Sequence, residues 1–102
     1  MHQERRRQRS DSPSEASRLY LTALAARTNA STMVLADADG LLIAGVGEAD
    51  HEVLAALGRD AAPAVQETSI EVRGIPLRLF SVGGEAPPVA NTTTDLERIL
   101  VA

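Results

Sequence analysis

One stretch constrains this chain more than any other: Thr32 to Gly47, TMVLADADGLLIAGVG. Two apolar runs, Thr32 to Ala36 and Leu41 to Val46, flank the polar turn Asp37-Ala38-Asp39-Gly40. Asp at the first turn position and Gly at the fourth suit a type I turn followed by a left-handed residue. Gly40 takes the positive φ at little cost. Each run stays apolar at successive positions, Met33-Val34-Leu35 and Leu42-Ile43-Ala44. A strand with one wet face alternates, whereas a strand covered on both faces does not. The stretch therefore predicts a hairpin inside a sheet, with both of its strands covered on both sides. So tight a turn leaves little room for a catalytic loop.

The rest of the chain supplies what such a sheet needs. Ser12-Pro13-Ser14-Glu15 is a helix start, with Ser12 as cap, Pro13 at the first helical position and Glu15 closing a capping box. Ala16, Leu19, Tyr20, Ala23 and Leu24 then recur at helical spacing. This helix should end at Arg27 or Thr28, with Asn29 as a left-handed exit. A second helix is expected over Asp50–Ala62, with Asp50 as N-cap and a stripe of Val53, Leu54, Leu57 and Ala61. Pro63 stops it, and Gly58 should weaken it by ~1 kcal/mol relative to Ala. Glu67 to Val82 reads as a second hairpin about a two-residue Arg73-Gly74 turn. That turn pairs Val72 with Ile75, Ile70 with Leu77 and Thr68 with Leu79, all on one face. Pro76 should sit at an edge or a non-bonded position. The opposite face is polar except for Phe80 and Val82, so this hairpin should be the more peripheral of the two. Thr94-Asp95-Leu96-Glu97 is a second capping box, opening a short terminal helix.

The expected architecture is α+β. Its element order is α-β-β-α-β-β-α, on an antiparallel sheet of four or five strands with helices on both faces. A chain of 102 residues suits one domain, here residues 12–102 behind a tail of residues 1–11. The tail has no apolar periodicity and should be disordered. Its Arg5, Arg6, Arg7 and Arg9 are capable of touching acidic lipid, but so short a run reads first as a solvated tail.

Composition narrows the chemistry. Cys is absent, which removes disulfides, thiolate metal sites and a Cys nucleophile. All ten basic residues are Arg, which removes Schiff-base and P-loop lysines. Residues 1–18 carry five Arg against three acids, and the remainder five Arg against eleven acids. An acidic body speaks against general nucleic-acid binding. No apolar run approaches the ~20 residues of a membrane span, and no apolar stretch follows the charged N-terminus as in a signal peptide. A cytoplasmic protein is expected.

No residue pattern points to catalysis. Asp37 and Asp39 lie two apart in a turn and lack neighbouring ligand types, so they read as turn formers and not as a metal site. His2 falls in the tail, and His51 near a helix start has no evident partner. Ser31, Ser69 and Ser81 lack a nucleophile elbow. Gly45-Val46-Gly47 lacks the third glycine of a dinucleotide fingerprint. A non-enzyme without cofactor or metal is expected.

Taken together, these parts resemble the roadblock/LC7 (dynein light chain and MglB-like) family. The match lies in an apolar strand Met33–Ala36, an acidic-Gly turn Asp37–Gly40, a strand Leu41–Ala44 and a helix starting at Asp50. It extends loosely over residues 15–101. The family's sheet has five strands in a profilin-like arrangement; a fifth strand here has only Pro87-Pro88-Val89-Ala90 to occupy. The resemblance implies a homodimer, in a bacterial signalling setting, that regulates or scaffolds a Ras-like small GTPase. The second helix, with Glu52, Ala55, Ala56 and Arg59, is the expected partner or dimer surface. The alternative is a minimal GAF- or PAS-like sensor or adaptor binding a small molecule or a partner protein, although one Tyr and one Phe are poor lining for a ligand pocket.

Deleting residues 1–11 should leave the thermal midpoint unchanged, because they offer no apolar side chain beyond Met1. Thermal unfolding of the truncated and full chains is the check, and a drop of several degrees would mean that the tail docks.

Overall fold

The computed structural model describes residues 13–101. The tail, His2, the four tail arginines and the Ser12 cap lie outside the described residues. Eight elements follow in order. They are α1 (Pro13–Thr28), β1 (Thr32–Asp37), β2 (Leu42–Gly47), α2 (His51–Leu57), a 3-10 turn (Gly58–Asp60), β3 (Val65–Val72), β4 (Ile75–Val82) and α3 (Val89–Val101). The strands form one antiparallel sheet in the order β2-β1-β4-β3. The expected order α-β-β-α-β-β-α is therefore present, on four strands.

Helices cover both faces. Leu21, Leu24 and Ala25 of α1 and Leu96 of α3 bury against Met33, Leu35, Ile70, Leu77 and Leu79. On the other face Leu54 and Ala55 of α2 bury against Val34, Ala36, Val65 and Phe80. Odd-numbered β1 residues thus serve one layer and even-numbered residues the other. Burial of β1 is complete from Thr32 to Ala36. Two-faced apolarity predicted this for β1 and overstated it for β2. Strand β2 is an edge, and only Ala44 of it is buried. The second hairpin is correspondingly less peripheral than expected: β4 lies inside the sheet, and only β3 is an edge. Each hairpin contributes one inner strand and one edge strand. The sheet's centre is the β1–β4 pairing, from Thr32↔Val82 to Asp37↔Leu77.

Both turns follow their residues. Asp37 Oδ1 accepts from the backbone N–H groups of Asp39 and Leu41, both at 2.9 Å, and Gly40 takes φ +86°. In the second hairpin Arg73 and Gly74 have φ of 52° and 80°, as a type I′ turn requires. The register pairs Val72 with Ile75, Ile70 with Leu77 and Thr68 with Leu79. Pro76 pairs with Glu71 one residue beyond the last β1–β4 pair, so its missing N–H leaves no gap in the ladder. Phe80 and Val82 break the polar face because α2 and the 3-10 turn cover that end of it. Glu67, Ser69, Glu71 and Arg78 occupy the uncovered end.

The helices depart from expectation in three ways. In α1 the buried stripe is Ser17, Leu21, Leu24, Ala25 and Thr28, while Leu19 is 57% exposed. Apolar residues ring this helix, so spacing alone does not choose a face. In α3 the helix starts at Val89, and Thr92 N–H donates to the Pro88 carbonyl. Thr94 is inside the helix, its hydroxyl bonded to the Ala90 carbonyl, and caps nothing. Pro88 ahead of the first turn is compatible with a start there. Val89 and Ala90 are thus helical, and residues 87–90 form no strand.

The third departure is α2, which ends at Leu57 and not near Ala62. Gly58 terminates it with φ +55°, and a Cβ at Gly58 would lie 2.7 Å from Phe80 Cε1. Gly58 therefore lets the chain turn over the Phe80 ring. Inside a helix, Gly58→Ala would stabilise by about 1 kcal/mol. Here it should destabilise by roughly 2–4 kcal/mol, from backbone strain and overpacking together. Chemical denaturation decides the sign.

Candidate interaction surface and an interhelical cleft

Asp50 builds the start of α2. Its Oδ1 accepts from Glu52 N–H at 3.1 Å and Val53 N–H at 3.2 Å. His51 Nε2 lies 2.9 Å from the Gly47 carbonyl oxygen, and its ring sits where a Gly45 Cβ would be. His51 therefore fastens α2 to the edge strand. At the other side, the Asp37–Gly40 turn abuts the helix: a Cβ on Gly40 would lie 3.3 Å from the Ala55 carbonyl oxygen. These contacts fix which face of α2 is free.

Of the four residues expected on a partner surface, the fold places three outside. Glu52, Ala56 and Arg59 are exposed. Ala55 is 2% exposed and belongs to the core against β1, so it is corrected from surface to core. The same rotation brings Val53 and Leu57 outward, against the expected stripe. Leu41 (65% exposed), Leu42 and Ala56 share one groove, while exposed Val53 and Leu57 stand beside it on α2, and Leu57 also borders a concavity with Arg59 and Phe80. A groove of about 500 Å³ runs between Gly40, Leu41, Leu42, Glu52 and Ala56. Covering Leu41, Leu42, Val53 and Leu57 would yield on the order of 3–6 kcal/mol before the cost of association.

A second concavity, about 670 Å³, lies between α1, α3 and the loop from Gly83 to Pro88. Tyr20 and Thr92 meet there. Their hydroxyls are buried neighbours, yet neither makes a hydrogen bond of good geometry, and the buried Ser17 hydroxyl of α1 is likewise without one. A buried unpaired polar group costs about 1–3 kcal/mol. Arg27, Glu85, Asp95 and Arg98 stand around the opening. Burial raises the Tyr20 phenol above its ordinary range; Asp95 adds to the effect, and Thr92 and Arg27 oppose it.

The sequence did not disclose this cleft. Its residues are spread from position 20 to position 98, and Tyr20 read only as part of a core stripe. The available signal was polar residues, Ser17 and Thr92, standing on buried helix faces.

The remaining candidates have structural places. Asp37 is occupied by its own turn. The Ser31 hydroxyl donates to the Val82 carbonyl at 3.2 Å, and Ser81 is buried in β4. Among the described residues no three His, Asp or Glu side chains gather as a metal set, and no helix is long and apolar enough to cross a membrane. No protein-family model, curated protein or solved structure matches the chain.

Tyr20 is the sole tyrosine and the chain has no tryptophan, so tyrosinate absorbance reports on it alone. The absorbance midpoint should lie above the ordinary value of about 10. A proton held more tightly in the folded state gives stability that is complete below the unfolded pKa and is lost as pH rises through the folded one. Stability should therefore fall above pH ~10, and Tyr20→Phe should remove that part of the loss. A midpoint at or below the free-tyrosine value would contradict the burial.

Proposed function

We propose that this chain is a non-catalytic, cytoplasmic regulatory module that forms a homodimer and holds a Ras-like small GTPase. The observation that carries the reading is the exposed apolar surface of Leu41, Leu42, Val53, Ala56 and Leu57. Large apolar patches on a monomer's surface are uncommon and often functional. The order of elements agrees with the resemblance up to β4 and departs from it after that, because residues 87–90 form no fifth strand. A micromolar dimer needs about 8 kcal/mol net. The patch alone offers less than that, so the contact has to recruit more surface. Strand β3, the edge of the sheet away from the Leu41 groove, is eight residues long with unpaired backbone groups, and Pro76, on inner β4, does not blunt it, so it offers a second place for a copy to pair. In a two-fold contact a donor N–H of one copy meets an acceptor C=O of the other, and the reverse.

Sedimentation at micromolar concentration should give the mass of a dimer. Ala56→Arg places a charge in the groove beside Glu52 and should shift the mass to that of a folded monomer. A wild-type monomer would falsify the dimer. Affinity capture from native lysate, read for a small GTPase and repeated with Ala56→Arg, tests the partner. Recovery of no GTPase by the wild-type chain counts against the regulatory reading.

A further inference from the structure

The two edges of the sheet are not alike. Along β2 the register with β1 shifts between Leu35 and Ala36. Strand β3 pairs with β4 without a break from Val65 to Val72. A bulge blunts an edge, and an unbroken strand does not.

The second hairpin fixes which backbone groups of β3 are free. Across a two-residue type I′ turn the closing pair, Val72 and Ile75, exchanges both hydrogen bonds. Thr68, Ile70 and Val72 therefore turn their N–H and C=O groups toward β4. Glu67, Ser69 and Glu71 turn theirs outward, where no described strand lies. Val65 agrees with this alternation, since its N–H donates to the Ala62 carbonyl, outside the β3–β4 ladder, at 3.2 Å. A shallow groove of about 400 Å³ lies along the Ser69–Glu71 stretch, with Val89 and Thr93 of α3 and Pro76 on its walls. Val89 is 51% exposed.

A strand added at this edge would alternate between two surroundings. Residues opposite Thr68 and Ile70 point toward α3 and meet Val89 and Thr93. Residues opposite Glu67, Ser69 and Glu71 point to the uncovered polar face, where both Glu side chains are exposed. Glu71 makes no ion pair among the described residues. A second copy pairing here brings its own Glu67 and Glu71 to this face, acid against acid. A segment with cations at those places meets no such repulsion.

We propose that the β3 edge binds an extended segment of a partner protein, apolar at alternate positions and basic at those opposite Glu67 and Glu71. The segment joins the sheet as a further strand, antiparallel to β3. Its backbone takes the outward groups of Glu67, Ser69 and Glu71, and its side chains read the groove and the two acids. This edge lies away from Leu41 and Ala56, so the site stands whether or not the chain dimerises there.

The test is a titration of the isotope-labelled full chain with the peptide Thr-Arg-Val-Thr-Val-Arg-Thr, followed by amide shifts and hydrogen exchange. The control peptide carries Glu in place of both Arg. Saturable shifts from Glu67 to Glu71 and at Val89 and Thr93 are expected with the basic peptide. In the free chain the Glu67, Ser69 and Glu71 amides should exchange faster than those of Thr68 and Ile70. Peptide at about ten times its Kd should slow all three by about tenfold. Ser69→Pro removes an outward N–H, a change an edge tolerates, and should abolish the shifts. Glu71→Arg, at an exposed side chain, should remove the preference for the basic peptide. Ala56→Arg should bind as the wild type does, which separates this result from the dimer test. No saturable shift at millimolar basic peptide overturns the proposal, and so does equal binding of the acidic one. Protection of the Glu67, Ser69 and Glu71 amides that grows with protein concentration alone assigns the edge to a second copy and overturns it too.

Discussion

Everything in this fold depends on β1 being buried on both faces. Met33 and Leu35 enter the layer beneath α1 and α3, and Val34 and Ala36 enter the layer beneath α2. No other strand is buried so continuously. A strand in this position has to be apolar, or hydrogen-bonded as Thr32 is, at every buried residue and has to be inside the sheet. Both hairpins then take their places relative to it. Strand β2 joins on one side through the Asp37 turn, and β4 on the other through six residue pairs. Without β1 the two helical layers would have no common wall.

The size of α2 has a comparable reach. Ended by Gly58 over Phe80, it covers only the half of its sheet face that carries Val65, Phe80 and Val82. The uncovered half is polar, with Glu67 and Arg78 facing each other at 3.9 Å. A short helix also has a narrow contact stripe, so Leu54 and Ala55 fill it and Val53 and Leu57 are left in solvent. The exposed apolar side chains of α2 thus lie opposite the stripe that the sheet takes up.

How far the sequence disclosed this follows from how local each cause is. Asp37, Gly40, Arg73 and Gly74 act within four residues of themselves, and both turns and the second register were legible. The two-faced run of β1 was legible for the same reason. By contrast, α1 is ringed by Leu19, Tyr20, Leu21, Ala23, Leu24 and Ala25, and the choice of face belongs to the sheet. The Thr94–Glu97 capping phrase was locally sound, but Pro88 offered an earlier start and packing of Leu96 on the sheet extended the helix. Gly58 looked like a weak helix residue because the ring it clears, Phe80, is far along the chain. Ala55 was misplaced along with it. The cleft needed α1, α3 and a loop to meet before it existed at all.

The two hairpins close within a handful of residues, but the seam between them joins Thr32 to Val82, fifty positions apart. Loop-closure entropy separates these events in time. Each hairpin can form and dissolve on its own, whereas the seam has to be reached by a search over half the chain. The seam also seats Phe80 beside Val34 and so completes the layer on which α2 rests. Helix α2, short and lying in sequence between the hairpins, has no finished surface to fold against until they join. The order of assembly is therefore written into the topology: local hairpins, then the seam, then the helix that the seam makes possible.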